Sequence, residues 1–271
     1  MRKKKTYRMG PLILFLVSTV ILVPAAIMLI WIFTERWAWP DLSPQVFSLR
    51  ALKEILGRKE ETARLFVSSI LISTAVALLS VTIGIMTSRA LVFYRFFGKK
   101  IMSFFTVLPF MVPATVFAMG IQITFIRMGL NNTVTGVILA HLICSLPYAV
   151  RLLQDGTEAV GQKLEEQARV LGAGPGKAFF RVTLPMLAPV VLSAASMSYI
   201  VSFSQYFLTL LIGGGNVRTF TIVMVPYLSG GDRNIACIYS AFFLGVTLIV
   251  FWVFELLAGR WIRNTGGDYY T

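Results

Sequence analysis

The chain has 271 residues, 56% of them hydrophobic and 14% charged, against about 25% charged in ordinary globular chains. A soluble fold of this size could not hide that much apolar surface, so one polytopic membrane domain is the expected class. The formal net charge is +13, but the basic residues sit in short bursts between apolar runs, which argues against a nucleic-acid-binding domain.

A span needs about 20 apolar residues to cross about 30 Å of hydrocarbon. A basic arm, residues 1–8, precedes the first uncharged run, Met9–Thr34. That run is longer than the core of a secretory signal and lacks a small-x-small site before Glu35, so it reads as a retained span. Residues 35–64 read as an extracytoplasmic loop, and 65–260 as the core of the domain. Within it the uncharged runs are Leu65–Ser88, Ile101–Ile126, Met128–Val150, Val182–Val217 and Asn234–Phe254. Val182–Val217 is overlong, so its ends are expected outside the bilayer core. Thr219–Gly231 is too short and too glycine-rich to span alone. Pro109, Pro113 and Gly120 punctuate the third run and Pro147 the fourth, where proline kinks a helix or frees backbone groups.

Orientation follows from Lys and Arg in the loops. The arm, the second-to-third loop (Arg89, Arg95, Lys99, Lys100), the fourth-to-fifth loop (Arg151, Lys163, Arg169, Lys177, Arg181) and the tail (Arg260, Arg263) share sixteen of the 25 basic residues. The opposite side has nine, six of them in the first loop beside five acids. The expected fold class is an all-α integral membrane protein with six transmembrane helices and both termini cytoplasmic, residues 261–271 forming the tail.

Ionisable groups inside the runs are few. Glu255, near the end of the sixth run, reads as a snorkelling interfacial carboxylate. His141 reads as a histidine satisfied by a neighbouring helix or as a proton relay. Cys144 and Cys237 sit in apolar runs without metal-ligand spacing, as small buried hydrophobes do.

Between the fourth and fifth runs lies a polar loop, 153–185, containing the stretch EEQARVLGAGPGKAFFRVTLP from Glu165 to Pro185. It is not a phosphate-binding P-loop. Leu171 stands where the first glycine belongs, Ala178 follows Gly176-Lys177 where a hydroxyl is needed, and the preceding segment is charged rather than an apolar strand. Its spacing reads as helix-turn-helix. Val160, Leu164, Ala168 and Leu171 form an apolar stripe over a helix from Thr157 to Leu171. Gly172 ends that helix. Pro175 suits the first turn of a second, which presents Phe179, Phe180 and Val182 before Leu184-Pro185 closes it. An exposed apolar stripe beside charges is what a docking element looks like, although packing against the membrane face is an equal use of it.

Glu166-Gln167-Ala168, then Gly172, then Val182-x-Leu184-Pro185 resembles the Glu-Ala-Ala…Gly…Ile-x-Leu-Pro motif of permease subunits of binding-protein-dependent ABC importers. Gln167 departs from the usual alanine and Val182 from isoleucine. Leu146-Pro147-Tyr148 with Arg151, and Leu108-Pro109 with Pro113, resemble neighbouring spans of the family, so the likeness covers roughly residues 65 to 260. It looks most like the branch with spermidine/putrescine- and thiamine-type permeases. The resemblance implies a type I importer permease fold in a bacterial inner membrane. It implies that the loop is a coupling helix seated in a groove of a separate ATPase subunit. Glu166, Ala168, Gly172, Leu184 and Pro185 are the motif positions; Glu165 and Ala173 flank them and join the coupling set. Phe179 is read from the residues alone, as an anchor for the partner or as the loop's own core. The chain would be a non-catalytic subunit with no cofactor, ATP and Mg being bound by the partner ATPase. An ABC ATPase dimer, a second permease, different or identical, and a binding protein touching the first loop and Gly213–Asp232 are the implied partners.

The fifth run holds Ser202, Ser204, Gln205, Tyr206 and Thr209, the densest polar patch within a span. Residues 202, 205, 206 and 209 share a face of a continuous helix. They are candidates for the substrate path or for glue between helices. Acids carried by some polyamine-type relatives are missing at Ser204 and Gln205, which weakens a strongly cationic substrate. Two other classes compete. An intramembrane enzyme needs paired carboxylates, a histidine pair or a nucleophile with its base, and the chain has one histidine. An ATP-independent channel or secondary carrier predicts coupling charges at mid-membrane and needs no docking loop.

Overall fold

The computed structural model describes residues 9–38 and 40–264. The expected basic arm lies outside these residues, as does the tail from 265 on. The chain is almost wholly helical, and its described residues fall into two compact units.

One unit holds the described residues up to Thr62, with Met224–Gly245. Helix α1 (Met9–Ile32) is apolar around its whole circumference, with Leu14, Phe15, Val20 and Ile21 exposed, as suits a helix solvated by lipid. It leads into a small antiparallel hairpin of β1 (Thr34–Arg36) and β2 (Val46–Phe47), then α2 (Arg50–Gly57). Asn234 Nδ2 donates to the last carbonyls of α1, Trp31 at 2.9 Å and Ile32 at 2.8 Å. These oxygens have no partner within their own helix. Arg50 adds ion pairs to Asp232 (3.2 Å) and Glu35 (3.9 Å).

The other unit holds Ala63–Val223 and the described residues from Val246 on. In chain order its elements are α3 (Lys59–Phe93), α4 (Lys99–Phe105), α5 (Leu108–Met111), α6 (Ala114–Arg127), α7 (Val134–Val160), α8 (Lys163–Val170), α9 (Pro175–Ala178), a π-turn (Phe179–Thr183), α10 (Leu184–Phe203) and α11 (Phe207–Gly213). Helix α3 begins in the first unit, and helix α12 (Phe220–Gly230) and helix α13 (Arg233–Asn264), the last described elements, run through both units. The main helix pair is α7 with α10. They close tightly because Gly156 offers no side chain: a Cβ there would lie 2.8–3.0 Å from the side chain of Val190. Small residues permit such approach where lipid supplies no hydrophobic drive between helices. Hydroxyl pairs tie α3 to α7, Ser80 to Ser145 at 2.8 Å and Ser88 to Thr157 at 3.3 Å.

Among the described residues, five helices are long and apolar enough to cross a membrane: Ile13–Ile32, Lys59–Phe93, Val134–Val160, Pro175–Phe203 and Arg233–Leu257. The third expected run is not one long helix but α4, α5 and α6. The cause is local. Val112 precedes Pro113 and adopts ψ 131°, because proline disfavours the helical region for its predecessor. The fourth span is also shifted. Residues 128–133 form a loop, and Thr133 caps α7 by accepting from the Gly136 N–H at 3.0 Å. The helix then runs past Arg151 to Val160.

Candidate coupling loop and polar patch

The loop is built from two left-handed glycines. Gly161 has φ +67° and ends α7, so the expected single helix from Thr157 to Leu171 is corrected to two, with α8 beginning at Lys163. Gly172 has φ +93° and ends α8 as the sequence predicts. The Gly172 N–H donates to the Arg169 carbonyl and the Ala173 N–H to the Ala168 carbonyl, both at 3.0 Å. That crossed pair is a Schellman cap. Ala168 and Ala173 stand at its two ends, half-buried.

Pro175 opens α9, and Leu184-Pro185 does not close the second helix as expected. Pro185 has no N–H for the Arg181 carbonyl, so an α-type bond is missing there. The backbone widens into the π-turn, where the Leu184 N–H reaches the Phe179 carbonyl, and runs on as α10. The second arm of the loop and the fifth span are one continuous helical rod from Pro175 to Phe203.

Glu165 sits at the centre of the loop. Arg89, from α3, donates to both its carboxylate oxygens at 3.0 Å, and Thr183 Oγ1 donates to Oε2 at 2.7 Å. Only 19% of the Arg89 side chain and 12% of that of Glu165 are exposed. The Arg89 guanidinium lies 4.9 Å from the centroid of the Phe179 ring and 5.5 Å from that of Phe93, within cation–π range. Burial works against ionisation of Glu165. The hydrogen bonds from Arg89 and Thr183 and the charges of Arg89 and Arg169 outweigh it and hold the carboxyl below its ordinary value. Glu166, the motif glutamate, is exposed, and Leu184 and Pro185 are half-buried. Phe179 packs under Arg89 as part of the loop's own core. Phe180 meets it edge to face and is 66% exposed. Val170 at 87% and Leu171 at 89% exposed make an apolar tip at the turn of a charged loop, while Phe180 lines a cavity with Thr82 and Met86 of α3. Sequence reasoning counted Arg89 only as a loop charge and passed over Thr183. No local signal links residues 76 positions apart in sequence.

The polar patch is divided rather than continuous. α10 ends at Phe203 and α11 starts at Phe207, so Ser204, Gln205 and Tyr206 lie in a break and the expected shared face does not exist. Ser202 and Thr209 are buried against His141 of α7, Ser202 Oγ 2.9 Å from Nδ1 and Thr209 Oγ1 2.9 Å from Nε2. Thr209 spends its proton on the Gln205 carbonyl at 2.8 Å. An imidazole with its proton on Nε2 completes the set: it donates to Thr209 and accepts from Ser202. Of the two readings of His141, this is the satisfied one. The Gln205 carbonyl also accepts from Thr221 at 3.1 Å, which pins the break. Ser204 is exposed, and the side chains of Gln205 and Tyr206 are half-buried.

Long apolar helices, one helical span broken beside a polar cluster, and one compact charged loop with an apolar tip suit a transport permease. The chain belongs to the family of binding-protein-dependent transport system inner membrane components, whose family model matches residues 80–263. It is thus a multi-pass membrane permease subunit of an ABC importer. It is 29% identical over 193 residues to the molybdate/tungstate transport system permease protein WtpB of Pyrococcus abyssi, covering 71% of this chain and 77% of that one. It is 24% identical to the sulfate transport system permease protein CysT of Escherichia coli, over 97% of this chain and 95% of that one. These relatives are named for oxyanions, which corrects the placement in the spermidine/putrescine or thiamine branch. Among solved structures, a bacterial ABC transporter involved in import of the acidic polysaccharide alginate superposes with TM-score 0.63 at 15% identity over the whole of both chains. The MetNI methionine ABC transporter in an inward-facing form gives 0.53 at 17% identity, over 76% of this chain and 98% of that one. At such identities the likeness shows the fold, which is the type I importer fold.

Proposed function

We propose that this chain forms half of an ATP-driven import path for a small tetrahedral oxyanion. The carrying observation is the loop 163–183: a capped, ion-paired unit that leaves Val170 and Leu171 uncovered at its turn. Such an apolar tip beside charges fits a groove on a separate ATPase, which would supply ATP and Mg binding and leave this chain without need of a cofactor. Glu166 and Leu164 flank the tip and would complete the docking face, while Gly172 with Ala168 and Ala173 holds its shape. A second permease subunit would provide the other half of the path, and an extracytoplasmic binding protein would deliver the solute. Both termini would lie on the ATPase side, where the basic residues concentrate.

The oxyanion follows from the relatives' names and from the chemistry of the break. Ser204, Gln205 and Tyr206 offer hydrogen-bond donors and no carboxylate. A divalent anion passes donors without repulsion, whereas acids would repel it. The test is a mild-detergent pull-down of the chain from its native membrane. An ATPase, a second permease and a binding protein loaded with an oxyanion are expected. A chain that comes down alone and moves solute in vesicles without ATP would make it a channel or secondary carrier and refute the proposal.

A further inference from the structure

The coupling loop has two kinds of connection to the helices around it. Toward α10 the connection is covalent and helical, through α9 and the π-turn. From α8 and the π-turn toward α3 it is made by side chains, and their hydrogen bonds converge on Arg89, one turn from the end of α3 at Phe93, while the neighbouring Ser88 pairs with Thr157 of α7. Arg89 meets each part of the loop: Glu165 on α8 through two hydrogen bonds, and Phe179 of the π-turn through its ring. Thr183, the last residue of the π-turn, closes the triangle by donating to the same carboxylate.

The geometry distinguishes this contact from an incidental surface pair. An exposed lysine–carboxylate pair tolerates sliding and contributes little. A guanidinium fork on a carboxylate fixes both distance and orientation. Here it is also mostly shielded from water, with Thr183 satisfying one carboxylate oxygen a second time. Removing either partner would strand a charge of the other in a poorly solvated place. The contact therefore moves as one body or breaks. Glu166, one residue on, points outward and takes no part in it.

We infer that the Arg89–Glu165–Thr183 clamp is a strut that transmits nucleotide-driven movement of the coupling loop into α3, making Arg89 a positioning residue for transport although it lies outside the loop. This rests on the ATPase docking described under Proposed function. Movement reaches α10 by helix continuity and reaches α3 through the clamp, so cutting the clamp separates the two helices' responses.

The experiment uses the full importer, purified with its ATPase and placed in lipid nanodiscs. Cys144 and Cys237 are replaced by serine. One reporter thiol is introduced by Met86→Cys on α3, and in a separate protein another by Ser193→Cys on α10; both native side chains are exposed. Labelling rates with a membrane-permeant maleimide are compared without nucleotide and with ATP and vanadate. With the clamp intact, both reporters should change rate. In Glu165→Gln and in Arg89→Lys, which keep size or charge but lose the charged fork, the α3 response should fall roughly fivefold or more, the low end of allosteric couplings. The α10 response should persist, with the ATPase still co-purifying. If α3 responds in both variants as in the intact protein, or if both reporters fall silent together, the clamp merely holds the loop's shape and the strut is refuted. Two silent reporters with the clamp intact would count against the ATPase coupling itself and overturn the strut with it.

Discussion

At the scale of single residues the loop depends on Gly172 and on the carboxylate of Glu165. Gly172 adopts φ +93°, and a Cβ there would meet nothing within 4 Å. Substitution is therefore penalised by the backbone alone. A left-handed conformation costs an L-residue roughly 1–2 kcal/mol, more when the residue is β-branched and less for asparagine. Gly172→Val is expected to leave the chain in the membrane with its ATPase but to lower solute uptake per ATP hydrolysed, and Gly172→Asn to stay near the unmodified ratio. Normal coupling by the valine variant would show that the Schellman turn is dispensable. Glu165 adds a pH dependence whose sign is determined. Its pKa in the folded chain is lowered, so the stabilisation from its ionised form is fully present above the ordinary carboxylate value and is lost as pH falls through the lowered one. The charged groups facing it are Arg89 from α3 and Arg169 from its own helix. Amide protection over 163–183, taken relative to the intrinsic exchange rate at each pH, should therefore be unchanged from neutral pH down to about 4.3, the ordinary glutamate value. It should fall below that, and Glu165→Gln should be weakly protected throughout. An equally steep response in the glutamine variant would assign the effect to other groups.

At the scale of elements the α7–α10 crossing makes the sharpest demand. Gly156 faces Val190 so closely that even one methyl collides. Gly156→Ala should lower the melting temperature of the detergent-solubilised chain, overpacking of this kind costing roughly 1–3 kcal/mol. Val190→Ala in the same chain should recover part of the loss. Additive losses in the double variant would mean that the helices part rather than clash. The same crossing marks what the sequence could say about elements. Long apolar runs identify α1, α3, α7, α10 and α13 because a lipid-facing helix declares itself by composition. Gly172 and Pro175 announce the loop's turns because their backbone restrictions are local. Gly161 was hidden inside an otherwise good helical stripe. The break at Val112-Pro113 was legible as punctuation but not as the end of a span. Pro185 removes a donor from the α-ladder, yet whether a helix then stops or widens to a π-turn depends on what packs around it. Arg89 and Glu165 were both visible and their pairing was not, since only the fold brings α3 to α8.

At the scale of the whole molecule the proposed path and the joints must be told apart, and the broken fifth span offers the test. Ser202 and Thr209 are buried and spend their hydrogen bonds on His141; they hold α7 to the break. Gln205 and Tyr206 sit in the break, their side chains only half-buried, with the backbone carbonyl of Gln205 fixed by Thr209 and Thr221. A fixed backbone carrying half-buried side chains would suit contact with a passing solute. The two groups of residues predict different failures. Ser202→Ala or Thr209→Ala leaves a nitrogen of His141 unpaired in a dry place, at about 1–3 kcal/mol. Those variants should lose thermal stability, with uptake falling only as the amount of folded protein falls. Gln205→Ala with Tyr206→Ala should melt close to the unmodified chain and keep its ATPase, while the uptake kinetics of the solute carried by the co-purifying binding protein shift. Unchanged kinetics in that double variant would make the break a joint like its neighbours and move the path to another face of the bundle. A stability loss as large as that of Ser202→Ala would have the same meaning, because a side chain that contacts only passing solute has no share in holding the helices together.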